Sequence, residues 1–169
     1  MSLLYRVAEF DATVERAVDR VRSPQLDEIA YRLSSAADHS LLWHACGVAQ
    51  SLVRGGDTRR ATRFALAMGA ESALTNGALK SAFRRVRPRD YEDIEFRHGL
   101  HRPLTTSFPS GHATAAFTAA TLLGGRGWYA LAAAVAGTRV YVRLHHASDV
   151  AAGAALGLAL GAALRPLVR

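Results

Sequence analysis

The sequence predicts an all-α protein: a helical bundle with about five membrane-spanning helices and an N-terminal amphipathic helical segment. The 169-residue chain is 50% hydrophobic, and its apolar residues are concentrated in long runs of Ala, Leu, Val and Gly. No stretch alternates apolar and polar residues as a half-buried strand does. A chain of this length favours one domain. We therefore expect a single domain over residues 1–169, with its helical core at 40–166.

Composition and charge narrow the classes of protein. Lys and Arg number 21 against 14 Asp and Glu, a net charge of +7, and Lys80 is the only lysine. This balance points to an anionic partner, which is a nucleic acid, a membrane surface or a phosphorylated substrate. The apolar runs favour the membrane, because nucleic-acid binders carry their basic clusters on a polar surface. A single cysteine, Cys46, excludes a disulfide framework and a cysteine-based zinc site.

The N-terminal segment, residues 1–35, has the pattern of two amphipathic helices. Apolar residues recur at steps of three and four, with charged residues between them. The segment is too charged to cross a membrane, and it lacks the apolar core and the cleavage site of a signal peptide. We expect it to lie at a membrane interface.

Five apolar runs follow and define the expected spans. They cover residues 40–53, 61–79, 111–124, 127–143 and 147–164. Several are shorter than the roughly 20 residues that cross a hydrocarbon core of about 30 Å. Because the mean hydropathy is also only +0.05, a soluble Ala-rich bundle stays open as the alternative. Small residues at every fourth position favour the membrane, since they let helices pack closely in lipid; they are Gly153, Gly157 and Gly161.

The first of three chemically unusual stretches begins at Lys80. Lys80, Arg84 and Arg87 are spaced four and three apart, so a helix would place three cations on one face. They would repel one another unless an anion lay among them. Pro88 would end that helix. A solvated basic helix end that complements the helix dipole is the plainer interpretation.

The second stretch precedes the third apolar run. Ser110 is placed to cap a helix whose free N–H groups form an anion site. Gly111 allows a close approach of the backbone, and His112 follows in the first turn. Taken alone, this stretch is also explained by an ordinary serine N-cap.

The third stretch runs from Arg139 to Asp149. His145 and Asp149 are four residues apart, so on one helix the carboxylate would hold one imidazole nitrogen. The other nitrogen would then be free as a nucleophile or base. Arg139 adds a cation about two turns away. The alternative is a surface pair without chemistry.

Together the three stretches supply cations, helix N–H groups and an oriented histidine, which suits phosphoryl transfer. One histidine would attack phosphorus while another protonates the leaving oxygen. We predict no metal site. An acidic run is interpreted as a solvated, Arg-paired loop because its carboxylates alternate along a loop; it comprises Asp90, Glu92, Asp93 and Glu95.

These residues match a family pattern. The sequence resembles the type 2 phosphatidic acid phosphatase superfamily, whose motifs are K-x6-R-P, P-S-G-H and S-R-x5-H-x3-D. Order and spacing agree, with a threonine in place of the serine. The motifs run here from Lys80 to Arg87-Pro88, over Pro109-Ser110-Gly111-His112, and from Thr138-Arg139 to His145 and Asp149.

The resemblance implies a phosphatase that uses no metal or other cofactor. It implies that His145 is the nucleophile and forms a phosphohistidine, that Asp149 orients it, and that His112 is the general acid. The implied phosphate-binding residues are Lys80, Arg87, Ser110, Gly111 and Arg139.

The resemblance also implies a lipid-linked phosphate as substrate. Likeness to small actinobacterial members points to a polyprenyl-linked phosphomonoester, such as decaprenyl-phosphoryl phosphoribose. A phosphatidate, phosphatidylglycerophosphate or undecaprenyl-pyrophosphate phosphatase stays open. Two alternatives of another class also stay open: a non-enzymatic membrane protein and a nucleic-acid-binding protein. A non-enzymatic relic of the family, however, would be expected to have lost a motif residue. We expect a multi-pass protein of the cell membrane, no nucleic-acid partner, and a cytoplasm-facing site, since 14 of the 21 basic residues fall on the motif side.

Overall fold

The structure is a computed structural model and describes residues 2–88 and 106–168. Within these two ranges the regular secondary structure is helical, without a strand, so the predicted all-α class is confirmed. The predicted solvated acidic loop lies outside the described residues; its members are Asp90, Glu92, Asp93 and Glu95.

The N-terminal segment forms the two predicted helices, α1 (Leu3–Val21) and α2 (Pro24–Ala36). Ser23 caps α2, because its hydroxyl accepts a hydrogen bond from the Leu26 N–H. A short 3-10 turn, Asp38–Ser40, then leads into the bundle.

The remaining helices correspond to the five apolar runs. A π-helical segment joins the fourth helix to the fifth, and π-turns of this kind recur at functional sites. The elements are α3 (Leu41–Val53), α4 (Thr58–Ser72), the π-helical segment (Ala73–Leu79), α5 (Lys80–Ala82), α6 (Gly111–Leu123), α7 (Arg126–Tyr141) and α8 (Ala147–Val168).

Among the described residues, helix α8 is the candidate membrane span. It has 22 residues, and an 18-residue window within it has a mean hydropathy of 1.6. Only 17% of that window is buried within the protein, whereas the core helix of a soluble protein is mostly buried. The other apolar helices are shorter or carry more charge, so the number of spans stays a prediction.

The predicted basic face at Lys80, Arg84 and Arg87 is wrong. The helix ends at Ala82, and Phe83 has extended backbone angles, with φ −122° and ψ 138°. An extended chain points alternate side chains the same way, so Arg87 shares a side with Arg85 rather than with Arg84. The Ser107 N–H donates to the Arg85 carbonyl oxygen at 3.0 Å and holds this extended segment in place.

Helices α6 and α8 form the most extensive interface in the bundle. A Cβ atom added at Gly153 would lie 2.5 Å from the Ser110 carbonyl oxygen. At Gly157 it would overlap the Thr114 carbonyl oxygen. The Thr118 hydroxyl donates to the Gly157 carbonyl oxygen at 3.1 Å. The glycines of α8 therefore let its backbone touch α6, as their spacing predicted.

Two apolar clusters hold the rest of the bundle. The larger one lies between α3, α4, α6 and α7, and its members include Trp43, Phe64, Leu122 and Val135. The smaller one joins α2 to the turn after α7, through Ala30, Tyr31, Val142 and Leu144. This second cluster fixes that turn, which carries His145, against the N-terminal helices.

Replacing Gly157 with Ala tests the α6–α8 contact. The new Cβ would meet the Thr114 carbonyl oxygen and Phe117 Cβ, so we expect a loss of about 1–3 kcal/mol of stability from overpacking. Gly137→Ala on α7 is the matched control, because a Cβ there meets open space and Ala favours a helix by roughly 1 kcal/mol over Gly. Thermal unfolding in detergent measures both. A Gly157→Ala protein as stable as Gly137→Ala would contradict this packing.

Candidate active site

The three motifs meet at one end of the bundle. The Ser110 N–H donates to the Asp149 carbonyl oxygen at 3.1 Å and joins the second motif to the third. Arg87 Nη1 lies 3.4 Å from His145 Nε2, which joins the first to the third. A Cβ added at Gly111 would lie 3.4 Å from the ammonium nitrogen of the first motif's lysine. The site residues predicted from the sequence thus lie together, although their roles stay predictions.

His145 lies in the turn between α7 and α8 and is only 2% exposed. Its Nδ1 lies 2.6 Å from the carbonyl oxygen of Ser107. A carbonyl oxygen only accepts hydrogen bonds, so this contact assigns the ring proton to Nδ1. Nε2 of the neutral ring then carries the lone pair, which accepts a long hydrogen bond of 3.4 Å from Arg87 Nη1. A lone pair so placed is what a nucleophile requires.

The contact between Asp149 and His145 differs from the predicted one. Helix α8 begins only at Ala147, so the two residues do not share a helix, and Asp149 Oδ2 lies 3.8 Å from His145 Nδ1. That distance exceeds a hydrogen bond. Instead, Oδ2 accepts the His146 N–H at 3.0 Å, and Oδ1 pairs with Arg85 at 2.6 Å. Asp149 therefore acts on the imidazole through its charge and by holding the turn.

Burial, with help from two nearby cations, keeps His145 neutral. Burial lowers the pKa of His145 to about 3; the cations Arg139 and Arg87 act in the same direction, and Asp149 opposes them. Burial and the same two guanidinium groups lower the pKa of Lys80 to about 8. Crowded cations of this kind are relieved by an anion bound among them, so the pocket is suited to a phosphate.

The N-terminus of α6 lies beside these cations. The Ser110 hydroxyl accepts the Ala113 N–H at 3.4 Å and caps the helix, as predicted. Gly111 permits a close approach, because an added Cβ would lie 2.8 Å from the Asn76 side-chain oxygen and 3.4 Å from Lys80 Nζ, and the Asn76 side chain would have to move. The first-turn N–H groups and the ammonium therefore share one small space, where an anion is stabilised by both.

His112 faces the site from the first turn of α6 and pairs with an aspartate that the motifs do not contain. Its Nε2 lies 2.8 Å from Asp38 Oδ1. Burial opposes ionisation of Asp38, but the hydrogen bond and charge of His112 and the nearby Arg139 outweigh it and lower its pKa. Burial and the charge of Arg139 favour the neutral ring of His112, and the ionised Asp38 carboxylate works against both, so it supports the protonated imidazole that a general acid needs.

The turn that carries Asp38 is strained. His39 and Ser40 have φ values of 52° and 59°, a left-handed region that side chains other than Gly rarely adopt. Strain of this type is retained where neighbouring contacts over-determine the backbone, often at functional sites. Arg139 provides one such contact: it is 3% exposed, donates to the Ser34 hydroxyl, and lies 3.9 Å from Asp38 Oδ1.

A family model agrees with this geometry. The model described as the PAP2 superfamily matches residues 60–169, about two thirds of the chain. The chain belongs to the PAP2 superfamily. It is therefore a phosphoric monoester hydrolase of the type 2 phosphatidic acid phosphatase family. No curated protein matches the chain at a significant level.

Two solved structures share the fold of this PAP2 chain. One is a transmembrane PAP2-type phosphatidylglycerolphosphate phosphatase from Bacillus subtilis, with a TM-score of 0.77 and 23% identity, covering 98% of this chain and 86% of that chain. The other is Aquifex aeolicus LpxE, with a TM-score of 0.69 and 24% identity, covering 90% of this chain and 93% of that one. Both likenesses show the helical fold.

The structure adds residues that the sequence patterns did not indicate. These are Ser34, Asp38, Arg85 and the carbonyl group of Ser107. Arg85 lies inside the first motif, and its position two residues before Arg87 could have indicated from the sequence that it lies near the site. Asp38 lies in a polar break between two helical runs, which marks a turn but not a partner for His112.

Asp38→Asn tests the pairing with His112 in this PAP2 site. The amide cannot stabilise an imidazolium as a carboxylate does, so the acid form of His112 is lost at lower pH. We expect the alkaline limb of the kcat/KM profile to move by about one pH unit, equal to about 1.4 kcal/mol, toward lower pH. Glu28→Gln, an exposed carboxylate paired with Arg32, is the control. An unshifted limb in Asp38→Asn would rule out the pairing as catalytic.

Proposed function

We propose that this chain removes the phosphate of a membrane lipid through a phosphohistidine on His145, without a metal or other cofactor. The observation that carries the proposal is the buried imidazole whose Nδ1 is bonded to the Ser107 carbonyl oxygen, which leaves the Nε2 lone pair beside Arg87. The family membership supports the phosphatase chemistry, and the arrangement of the cations supports a phosphate as the group attacked.

In the first step, His145 Nε2 bonds to phosphorus while the bond from phosphorus to the lipid oxygen breaks. The proton of His112 goes to that oxygen, so the lipid leaves as an alcohol. In the second step a water oxygen attacks phosphorus, His112 takes one water proton, and the phosphorus–nitrogen bond breaks. Inorganic phosphate leaves, and both histidines return to their starting forms.

The cations stabilise the charge of the transferring group. Arg87 is held by the Leu144 carbonyl oxygen, and Arg139 by Ser34, so their guanidinium groups are oriented before substrate arrives. Preorganised donors of this kind stabilise a transition state without reorganisation. Lys80 and the first-turn N–H groups at Gly111 would bind the remaining oxygens.

The outer surface supports a lipid as the alcohol half of the substrate. Large apolar side chains point outward from α3 and α4, and Leu52 and Leu66 are 68% and 69% exposed. Helix α8 is also apolar, and only 17% of its 18-residue apolar window is buried. An exposed apolar surface of this type is suited to contact with lipid, because it is unfavourable in water and favourable among lipid chains. We propose a single domain with five spans in the cell membrane.

The finer substrate we propose is a polyprenyl-linked phosphate such as decaprenyl-phosphoryl phosphoribose. The support is the likeness of this short, Ala-rich chain to small actinobacterial members of the family. Phosphatidylglycerophosphate is the second candidate, because the Bacillus subtilis neighbour is a phosphatidylglycerolphosphate phosphatase. A panel of prenyl phosphates, phosphatidates, phosphatidylglycerophosphate and soluble sugar phosphates separates these, with the highest kcat/KM naming the class.

The mechanism predicts phosphate release from a lipid phosphate in the presence of EDTA. Vanadate should inhibit it, and His145→Ala should lower kcat by about 10³-fold or more, because the nucleophile is lost. His44 lies on α3 and its ring packs against Phe64 of α4, so His44→Gln is the control and should stay active. Retained turnover in His145→Ala refutes the covalent mechanism. DNA binding without phosphate release would support the nucleic-acid alternative.

We also propose that the site faces the cytoplasm, because the basic residues are more numerous on the motif side. Arg84 is exposed at a variable position of the first motif, so Arg84→Cys in a Cys46→Ser background reports the side of the membrane. An impermeant thiol reagent should label it only in opened cells. Labelling in intact cells would place the site on the outer face, and a cysteine at Arg126, at the opposite end of the bundle, should give the reverse result.

A further inference from the structure

Helix α1 turns an acidic face toward the turn that carries the nucleophile. Its carboxylates at Asp11, Glu15 and Asp19 are spaced four apart, so they lie on one side of the helix. Most of α1 is exposed, but Asp11 is only 4% exposed. A buried carboxylate on an otherwise exposed helix requires polar partners, and these partners lie in the first and third motifs.

Asp11 uses both of its oxygens on residues next to the catalytic groups. Oδ1 accepts the backbone N–H of Ser148 at 2.8 Å, and Oδ2 accepts the Ser148 hydroxyl at 2.8 Å. Oδ2 also pairs with Arg85 Nη2 at 2.6 Å. Asp11 therefore satisfies an N–H group at the start of α8, one residue before Asp149.

Arg85 links Asp11 to Asp149. Its Nη2 bonds to Asp11, and its Nη1 bonds to Asp149 Oδ1 at 2.6 Å and to the Ser148 hydroxyl at 2.8 Å. A guanidinium group is planar and rigid, so fixing one end of it fixes the other. The position of Asp149 Oδ1 thus depends on a residue in the N-terminal helix.

We propose that Asp11 is a positioning residue for the phosphatase reaction and acts through Arg85 on Asp149. Asp149 in turn holds the His146 N–H and directs its charge at His145, so the imidazole keeps the orientation that attack requires. The proposal rests on His145 being the nucleophile. It gives α1 a role in positioning catalytic groups, in addition to the predicted one of lying on the membrane surface.

A purely structural role for α1 has its own contacts, which allow the two to be separated. Glu15 and Asp19 pair with Arg143, a buried residue with φ 57°, and Glu15 also pairs with His146 at 3.0 Å. These contacts dock α1 on the turn without touching Arg85. Loss of the Asp11 charge alone should therefore leave α1 docked while Arg85 loses its second anchor.

Asp11→Asn in the full-length protein tests the proposal, because the amide keeps the size of the side chain and removes the charge. The readout is kcat and KM for p-nitrophenyl phosphate, a soluble ester that needs no lipid. We expect kcat to fall about 10- to 100-fold, with KM changed by about twofold or less. Losses of that size follow when a residue that orients a functional side chain is removed, as is known for the partners of metal ligands. Asp11→Glu should restore part of kcat, and Glu9→Gln, an exposed carboxylate of the same helix, should match the wild type.

A double-mutant cycle decides whether Asp11 acts through Arg85. In an Arg85→Gln background, Asp11→Asn should cause no further loss of kcat, because the link is already broken. Effects that multiply, or a kcat in Asp11→Asn within twofold of the wild type, overturn the proposal. The proposal is also overturned if, in every variant, the fall in kcat parallels a loss of thermal stability. Activity on the soluble ester with no release from any lipid would instead contradict the lipid substrate and leave the role of Asp11 intact.

Discussion

The close contact of α6 with α8 determines where the catalytic groups lie. Glycines on α8 bring its backbone against α6, and the Ser110 N–H then reaches the Asp149 carbonyl oxygen. That single bond joins the capped start of α6 to the start of α8, so the anion-binding N–H groups and the turn with His145 occupy one place. Bulkier residues along α8 would separate the two helix starts, and the second and third motifs would no longer share a pocket.

A second constraint is that several cations must be held close together without a substrate. Each guanidinium group of the site has an acceptor that orients it: Arg139 has Ser34, Arg87 has the Leu144 carbonyl oxygen, and Arg85 has two carboxylates. The acceptors named for Arg87 and Arg139 are neutral oxygen atoms, and Arg139 also lies 3.9 Å from the carboxylate oxygen of Asp38. Arg85, by contrast, is neutralised by Asp11 and Asp149, which assigns it to positioning rather than to phosphate binding.

The sequence predicted the all-α class well, because helices depend on local patterns, and it named the motif residues that the fold brings together, whose roles stay predictions. Apolar runs mark the bundle helices, and Ser110 before an apolar run marks a cap. What it did not predict depends on contacts between distant parts of the chain. The pairing of Asp38 with His112 joins residues 74 positions apart, and the bond from Ser107 to His145 uses a backbone carbonyl group that no side-chain pattern reveals. The assumption of one helix through His145 failed because α8 begins two residues later.

The mean hydropathy of the chain is low, +0.05, because charged residues outside the central parts of the helices enter the average. The low value therefore does not oppose a membrane location. Helix α6 carries no Asp, Glu, Lys or Arg, and α8 carries none between Asp149 and Arg165. One group of the charges that lower the average lies in α1, in α2 and in the first motif, at the end of the bundle that holds the site, and a second group lies at residues 54–63, where α3 ends and α4 begins. A bundle whose helices carry few charges along their middle and whose charges lie near the helix ends has the polarity of a protein whose body contacts lipid and whose ends contact water. The acidic face of α1 belongs to the charged group at the site, so the helix that would meet the membrane surface also contacts the catalytic turn.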